Sequence, residues 1–225
     1  MSPARPKVGL LTIGQSPRVD MVPEMLAWLD GAQPLERGAL DGLTAAQVAA
    51  MRPQEGDHTL VTRLRDGSSA VIGKSHILPR MQEAIDELEA AGAEVSILLC
   101  TGEFPAFRHS KPLLPADQLL VHGVKALAQG ARVGLICPLA EQEQDVRRKW
   151  SDLTEDLQVA VGSPYGELEA ILQAARRLAA GKVEFIVLDC MGFTQAMKQR
   201  VRQEVQIPVL LARSVVARLA AEVLR

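Results

Sequence analysis

Strand-sized apolar runs that alternate with helical patterns constrain this chain more than any other feature of its sequence. Lys7–Ile13 is a continuous apolar run that stops at Gly14, as expected of a parallel strand covered on both faces. Val22, Met25, Leu26 and Leu29 follow at helical spacing. Thr44-Ala-Ala-Gln47 has the form of a capping box opening a short helix that stops before Pro53. His58–Leu64 and Ser69–Gly73 flank Arg65-Asp66-Gly67-Ser68, two β-rich runs around an Asp-Gly turn that predict a hairpin.

The alternation resumes at Ile77. Ile77, Met81, Ile85 and Leu88 predict a helix closed by Gly92, and Glu94–Cys100 predicts the next strand. Glu103–Pro115 holds three prolines and no clear period, so it reads as a loop. Beyond it come a helix (Gln118–Ala128), a strand (Arg132–Cys137), a long polar helix (Ala140–Asp156) and a short strand (Gln158–Gly162). A helix marked by Leu168, Ile171, Leu172, Ala175 and Leu178 ends at Gly181, before a strand at Glu184–Cys190 and a helix at Thr194–Val205. Pro208–Leu211 predicts a strand, and Ser214 a cap on the last helix with Val215, Leu219 and Val223 inward. Strands separated by helices give α/β architecture with mainly parallel sheets flanked by helices. The Glu103–Pro115 loop is the best boundary. It predicts a first α/β lobe of residues 1–104 plus 207–225, carrying the hairpin, a second of 105–206, and a cleft between them.

Composition removes several function classes. Lys and Arg number 25 against 27 Asp and Glu, and there are four Phe, two Trp and one Tyr. That balance offers neither a broad basic face nor stacking platforms for nucleic acid, so no nucleic-acid partner is expected. The apolar runs fall far short of the roughly 20 residues of a membrane span, and the N-terminal run is too short for a secretory signal, so a cytoplasmic protein off the membrane is expected. Three cysteines without a CxxC pair, and four scattered histidines, predict no disulfide framework and no metal site.

In parallel α/β sheets ligands bind at the carboxyl ends of strands, so candidate chemistry is sought there. The first strand is followed by Gly14-Gln15-Ser16-Pro17-Arg18-Val19-Asp20. Gln15, Ser16 and Arg18 ahead of a helix suit an anion, since a helix start presents N–H groups and Arg grips a carboxylate with two. The motif is neither GxGxxG nor a P-loop. A plainer reading makes Ser16 the N-cap and Pro17 the first helical residue. Two later strands end in Cys100-Thr101-Gly102 and Asp189-Cys190-Met191-Gly192-Phe193-Thr194, ninety residues apart. Each cysteine ends an apolar run two residues before a glycine. Thiols beside main-chain N–H groups shift toward the reactive thiolate, and two on opposite sides of a carbon can remove a proton and return one. Cys137, followed by Pro138, reads as a packed structural cysteine. Asp189 is open between base partner, substrate contact and helix cap.

The segments Ile13–Arg18, Cys100–Gly102 and Leu188–Phe193 resemble the AroM family, and the resemblance covers nearly the whole chain. More distantly, the two strand-end cysteines are similar to those of the aspartate/glutamate racemase superfamily, which includes amino-acid and hydantoin racemases, maleate isomerase and arylmalonate decarboxylase. That resemblance implies two pseudo-symmetric α/β lobes, an active site between them and no cofactor. Cys100-Thr101 matches the superfamily's first cysteine motif. Cys190-Met191-Gly192 departs from the second, where threonine usually follows the cysteine, and Gln15-Ser16-Pro17-Arg18 departs from the usual Asp-Ser-Gly turn.

The expectation is therefore a cofactor-independent racemase, isomerase or decarboxylase acting at a carbon next to a carboxylate. Cys100 and Cys190 are the catalytic candidates. Gln15, Ser16, Arg18, Thr101, Gly102, Met191, Gly192 and Thr194 are the residues expected to hold a small-molecule carboxylate. The competing readings are a non-catalytic sensor of a small acid and an interaction subunit using the polar helix Ala140–Asp156, although a charged helix is more often a solvated face. A homodimer is the base-rate expectation for assembly.

Overall fold

The computed structural model describes residues 5–29, 31–153 and 157–224. It divides into two compact units: one runs to Ala116 and resumes at Val216, the other spans Asp117–Val215.

The first unit contains β1 (Lys7–Thr12), α1 (Val22–Leu26), β2 (Gln33–Gly38), α2 (Ala45–Ala49), β3 (Thr59–Arg63), β4 (Ser69–Gly73), α3 (Lys74–Ala90), β5 (Val95–Leu98) and β6 (Leu113–Pro115). Its main sheet is parallel in the order β2-β1-β5-β6. The inner strands β1 and β5 are almost wholly buried, which is why their sequences are unbroken apolar runs. The edge strands break that rule. β2 reads Gln-Pro-Leu-Glu-Arg-Gly and carries no strand signal, and β6 lies in the Pro-rich stretch expected to be loop. A strand paired on one side only tolerates proline and polar residues. The predicted hairpin forms, with β3 and β4 antiparallel around Gly67, whose φ of +85° favours glycine. Thr44 and Gln47 form the expected capping box on α2, and Gly92 follows the α3 C-cap at φ +89°. Ile72 of the hairpin, Ile77, Met81, Ile85 and Leu88 of α3, and Leu11 and Leu98 of the sheet share one core.

The second unit contains α4 (Ala116–Ala128), which opens at the boundary, then β7 (Val133–Cys137), a single 3-10 turn (Ala140–Gln142), α5 (Glu143–Lys149) and β8 (Gln158–Val161). α6 (Leu168–Ala180), β9 (Phe185–Leu188), α7 (Gln195–Val205), β10 (Val209–Leu211) and α8 (Ala212–Ala221) follow, and α8 crosses the second boundary. The parallel sheet runs β8-β7-β9-β10, matching the first sheet strand for strand. Ile136, Ile186, Leu188, Phe193 and the inner faces of α6 and α7 form its core.

The contact boundary lies at Ala116, just past β6, which pairs with β5, and the chain leaves the second unit after Val215, past β10, which pairs with β9. Some helix expectations are corrected. The helix predicted over Ala140–Asp156 ends at Lys149, where Trp150 turns inward and is fully buried; residues 154–156 lie outside the described residues. Ser214 does not cap α8. The helix starts two residues earlier, directly from β10, and the Ser214 hydroxyl donates back to the Leu211 carbonyl at 3.1 Å. The buried face of α8 is accordingly Val216, Ala217, Ala220 and Ala221, with Leu219 and Val223 exposed.

Candidate active site

The residues after β1 make a different structure from the one their sequence suggested. α1 begins only at Val22, with Met21 before it and no side-chain cap, so Ser16 caps no helix and Pro17 opens none. Instead Gln15–Arg18 is tied to neighbouring loops. The Gln15 side chain donates to the Leu40 and Leu43 carbonyls and accepts from the Arg65 amide at 2.9 Å. Ser16 gives its amide and hydroxyl to the Asp41 carboxylate at 2.8 and 2.5 Å, and its carbonyl accepts from the Arg65 guanidinium. Arg18 is buried, forms a two-pronged pair with Asp20 at 2.8 and 2.9 Å, and donates to Thr12 Oγ1 at 2.9 Å. Arg18 therefore grips a carboxylate bidentately, as its chemistry predicts, but the carboxylate is Asp20. Gly14 is needed at this knot, because a Cβ there would sit 2.3 Å from Thr62 Oγ1 and 2.6 Å from the Arg63 carbonyl.

The two cysteine turns match closely. Leu98, the last residue of β5, pairs with Leu11 of β1, and Leu188, the last of β9, pairs with Ile136 of β7. The following residue in each case donates its amide back to that same neighbour: Leu99 to the Leu11 carbonyl at 2.7 Å and Asp189 to the Ile136 carbonyl at 3.0 Å. The cysteine comes next, half-buried in both turns. Cys100 Sγ accepts the Gly102 N–H at 3.4 Å, and Cys190 Sγ accepts the Gly192 N–H at 3.3 Å. A sulfur that accepts an N–H is held in a form favouring its ionised state. Thr101 is buried beside Cys100. Met191 is buried, and Thr194 caps α7 by accepting the Met197 N–H at 3.2 Å.

Cys137 behaves as a packed thiol. It is fully buried, and its ionisation is pushed up to about 12 by desolvation and then by the nearby Asp189 and Glu143 carboxylates. It stays a neutral SH across the neutral range.

Asp189 proves to be a buried anchor. Its side chain is fully buried, its carboxylate oxygens lie 2.9 and 2.7 Å from Lys149 Nζ, and it accepts from Trp150 Nε1 at 2.8 Å. Both partners come from the helix that its charges mark as a solvated face. The signal against that reading is the tryptophan itself, an unlikely surface residue among Glu, Arg and Lys. A second missed residue is Arg213. It is 1% exposed, and its guanidinium donates to the Met191 carbonyl at 3.0 Å and the Gly192 carbonyl at 3.3 Å. Looking past the last strand, as past the others, reaches it: Leu211-Ala212-Arg213.

Among the described residues no group of three or more His, Cys, Asp and Glu side chains is placed to hold a metal ion, and no helix is long and apolar enough to cross a membrane.

Comparison with known proteins places this arrangement in a fold. No curated protein matches the chain in sequence. Among solved structures, Picrophilus torridus aspartate racemase is similar at TM-score 0.63 and 11% identity, covering 97% of this chain and 94% of that one. A Nocardia farcinica maleate cis-trans isomerase mutant with a covalently bound succinylcysteine intermediate gives TM-score 0.62 and 20% identity, over 95% of this chain and 90% of that one. Arylmalonate decarboxylase gives 0.61 and 16%, over 97% and 92%. At these identities the likeness is one of fold: parallel α/β sheets flanked by helices, as in the aspartate and glutamate racemases. The AroM protein family model matches residues 8–224, and the chain belongs to that family.

Proposed function

We propose that this protein is a cofactor-independent enzyme acting on a small carboxylic acid at the carbon beside its carboxylate, with Cys100 and Cys190 as proton carriers. One observation carries the reading. Two half-buried thiols stand at equivalent strand ends of two sheets of identical order, each accepting the N–H of the glycine two residues on. Packing alone does not require that repetition, and Cys137 shows what a merely packed cysteine looks like here.

The chemistry follows from the groups present. One cysteine, as thiolate, takes the proton from the carbon: the C–H bond breaks, an S–H bond forms, and the electron pair moves onto the carboxylate as an enolate. The other thiol returns a proton to the carbon and is left as thiolate. A free thiol ionises near 8.5, and carbon acids are far weaker, so the enolate needs preorganised donors. With Gln15, Ser16 and Arg18 held by protein partners, and the Gly102 and Gly192 N–H groups given to the sulfurs, those donors are assigned to the remaining main-chain N–H groups of the two cysteine turns and to the α7 N-terminus behind Thr194. Proteins of this fold include racemases, a decarboxylase and a cis-trans isomerase, and the succinylcysteine of the maleate isomerase supports a cysteine meeting a carboxylic acid substrate in this fold.

The test is proton NMR of the reduced protein in D2O with amino acids, hydantoins, maleate, arylmalonates and other small carboxylic acids. Exchange or conversion of one class, lost in both Cys100→Ser and Cys190→Ser, is the expected result. Turnover that survives either substitution overturns the two-thiol reading.

A further inference from the structure

Resting on the two-thiol reading, we propose that Arg213 is a positioning residue that makes Cys190, rather than Cys100, the thiolate of the resting protein. The argument runs through one peptide unit. Arg213, second residue of α8 and 1% exposed, donates Nε–H to the Met191 carbonyl at 3.0 Å. That carbonyl and the Gly192 N–H belong to the same peptide group, and the Gly192 N–H is the one that Cys190 Sγ accepts at 3.3 Å. A cation pulling on the oxygen of an amide makes its N–H a better donor, and a chain of such bonds reinforces itself in a low-dielectric setting. The second guanidinium contact, Nη2 to the Gly192 carbonyl at 3.3 Å, fixes the next peptide of the turn. Arg213 thus both holds the shape of the Cys190 turn and brings positive charge behind its sulfur donor.

Other ionisable groups surround this turn, and the Tyr165 phenol lies against Gly192. Asp189, adjacent to Cys190 in sequence, opposes ionisation of the thiol, and Lys149 Nζ and Trp150 Nε1 reduce that opposition by engaging its carboxylate. On α5, Glu143 pairs with Arg147 and Asp145 with Arg148. Asp117 at the start of α4 feels Lys149, and burial raises its carboxyl toward the neutral form. Cys137 remains a neutral thiol. α7 carries Lys198, Arg200 and Arg202, and its one acid, Glu204, pairs with Arg176.

The Cys100 turn has the same sulfur contact from Gly102 at 3.4 Å but a different support: its nearest cation contact is Lys74 Nζ to the Glu103 carbonyl at 3.4 Å, a peptide that does not carry the sulfur's N–H donor. The residue at the second position of the helix after β6 is Asp117, where the helix after β10 has Arg213. The segment following Cys100 runs through Glu103–Pro112 without a helix, whereas Cys190 is followed by α7. The two thiols are therefore alike in local shape and unlike in what lies behind the shape.

The measurement is the rate of iodoacetamide alkylation at each cysteine, resolved by mass spectrometry, between about pH 5 and pH 10. It reads the midpoint of each profile rather than the plateau, which also reflects access. In the native chain the Cys190 midpoint is expected about one pH unit below that of Cys100, a tenfold difference in thiolate fraction at neutral pH. Arg213→Met should move the Cys190 midpoint up by about that amount and leave the Cys100 midpoint unchanged, and Arg213→Lys should restore part of the shift. Coincident native midpoints, or an Arg213→Met shift that is absent or common to both thiols, would overturn the proposal. If Arg213→Met does not fold, the native order together with Arg213→Lys decides it, because a lysine that leaves the Cys190 midpoint at its native value also overturns the role. Alkylation needs no substrate. Ordered thiols without carbon exchange would thus discard the enzymatic reading alone, and exchange with unordered thiols would discard this one alone.

Discussion

Behind Cys100 the preceding side chain is Leu99, buried and apolar, while behind Cys190 it is Asp189, equally buried and charged. Both residues donate their amides to equivalent carbonyls, and both turns end with a glycine N–H on sulfur. The first turn is held mainly by packing: Leu99 is buried, Leu60 of the hairpin and Phe104 lie against Gly102, and one cation, Lys74, donates to the Glu103 carbonyl beyond it. The second is held by charge, with Lys149, Trp150 and Arg213 converging on its backbone and its acid. One backbone shape has been reached by two kinds of interaction. The comparison also explains where the extra chain of the first unit goes. Between β2 and α3 lie α2 and the hairpin, whereas β8 reaches α6 through six residues. Those added loops are what Gln15 and Ser16 bind.

The largest effect separating the turns from ordinary packed cysteines belongs to the thiols themselves. Cys100→Ser and Cys190→Ser should each lower carbon exchange by about 10²–10⁴-fold, the range of a lost general acid or base, while Cys137→Ser leaves turnover within a few-fold. Turnover assays with circular dichroism check this. Equal losses from Cys137→Ser would erase the distinction between matched and packed cysteines.

Next in size is the ion pair. Lys149→Met removes the cation from a carboxylate whose side chain is fully buried, and breaking such a pair costs about 3–5 kcal/mol. Replacing Lys149 with Met and Asp189 with Leu together should recover most of that loss, since Leu99 shows that an apolar residue fills the equivalent place. Denaturant unfolding of the single and double variants measures the recovery. A double variant as unstable as the single one would show that the second turn cannot be held by packing.

How much of this was legible in the sequence follows the same division between packing and charge. Periodicity is a record of burial, so the inner strands β1, β5, β7 and β9, the helix α3 and the hairpin stood out as apolar runs or alternations. The capping box of Thr44 and Gln47 was equally plain, because its two residues lie three apart. β2 and β6 were illegible because these two edge strands, unlike β8 and β10, lie in polar or Pro-bearing sequence and are specified by their neighbours' hydrogen bonds. The cysteines were visible as a repeated pattern at strand ends. Their supports were not: Lys149 lies 40 residues from Asp189, and Arg213 lies 22 from Met191. Arg18 is a similar case, its partner Asp20 being legible as a residue but not as the carboxylate that Arg18 grips.

Smaller effects are expected from the glycines that donate to sulfur. A Cβ at Gly192 would lie 2.6 Å from the Tyr165 hydroxyl and 2.9 Å from Pro164 Cγ, whereas at Gly102 its nearest neighbour is Leu60 Cδ2 at 3.0 Å. Gly192→Ala should therefore cost about 1–3 kcal/mol as an overpacked contact, and Gly102→Ala less, because a leucine end can turn aside. Thermal unfolding of both variants gives the order. A larger loss at Gly102 would mean that the packed turn is the more rigid.

The smallest effect concerns the residues at the second position of the helices after β6 and β10, Asp117 and Arg213. Burial raises the Asp117 carboxyl above its ordinary range, against the lowering influence of Gln118 and Lys149. In the interval between the ordinary and the raised value the folded chain keeps a proton there that the unfolded chain has lost. Stability must then fall as pH rises through that interval, and Asp117 contributes a penalty at neutral pH rather than a gain. Asp117→Asn removes the titration while keeping a polar side chain of the same size, so the variant should match the native chain in acid and become the more stable of the two as pH rises. Urea midpoints compared across that range test it. A native chain that instead gains on Asp117→Asn with rising pH would mean that the Lys149 attraction outweighs burial, and that Asp117, like Asp189, is held as an anion.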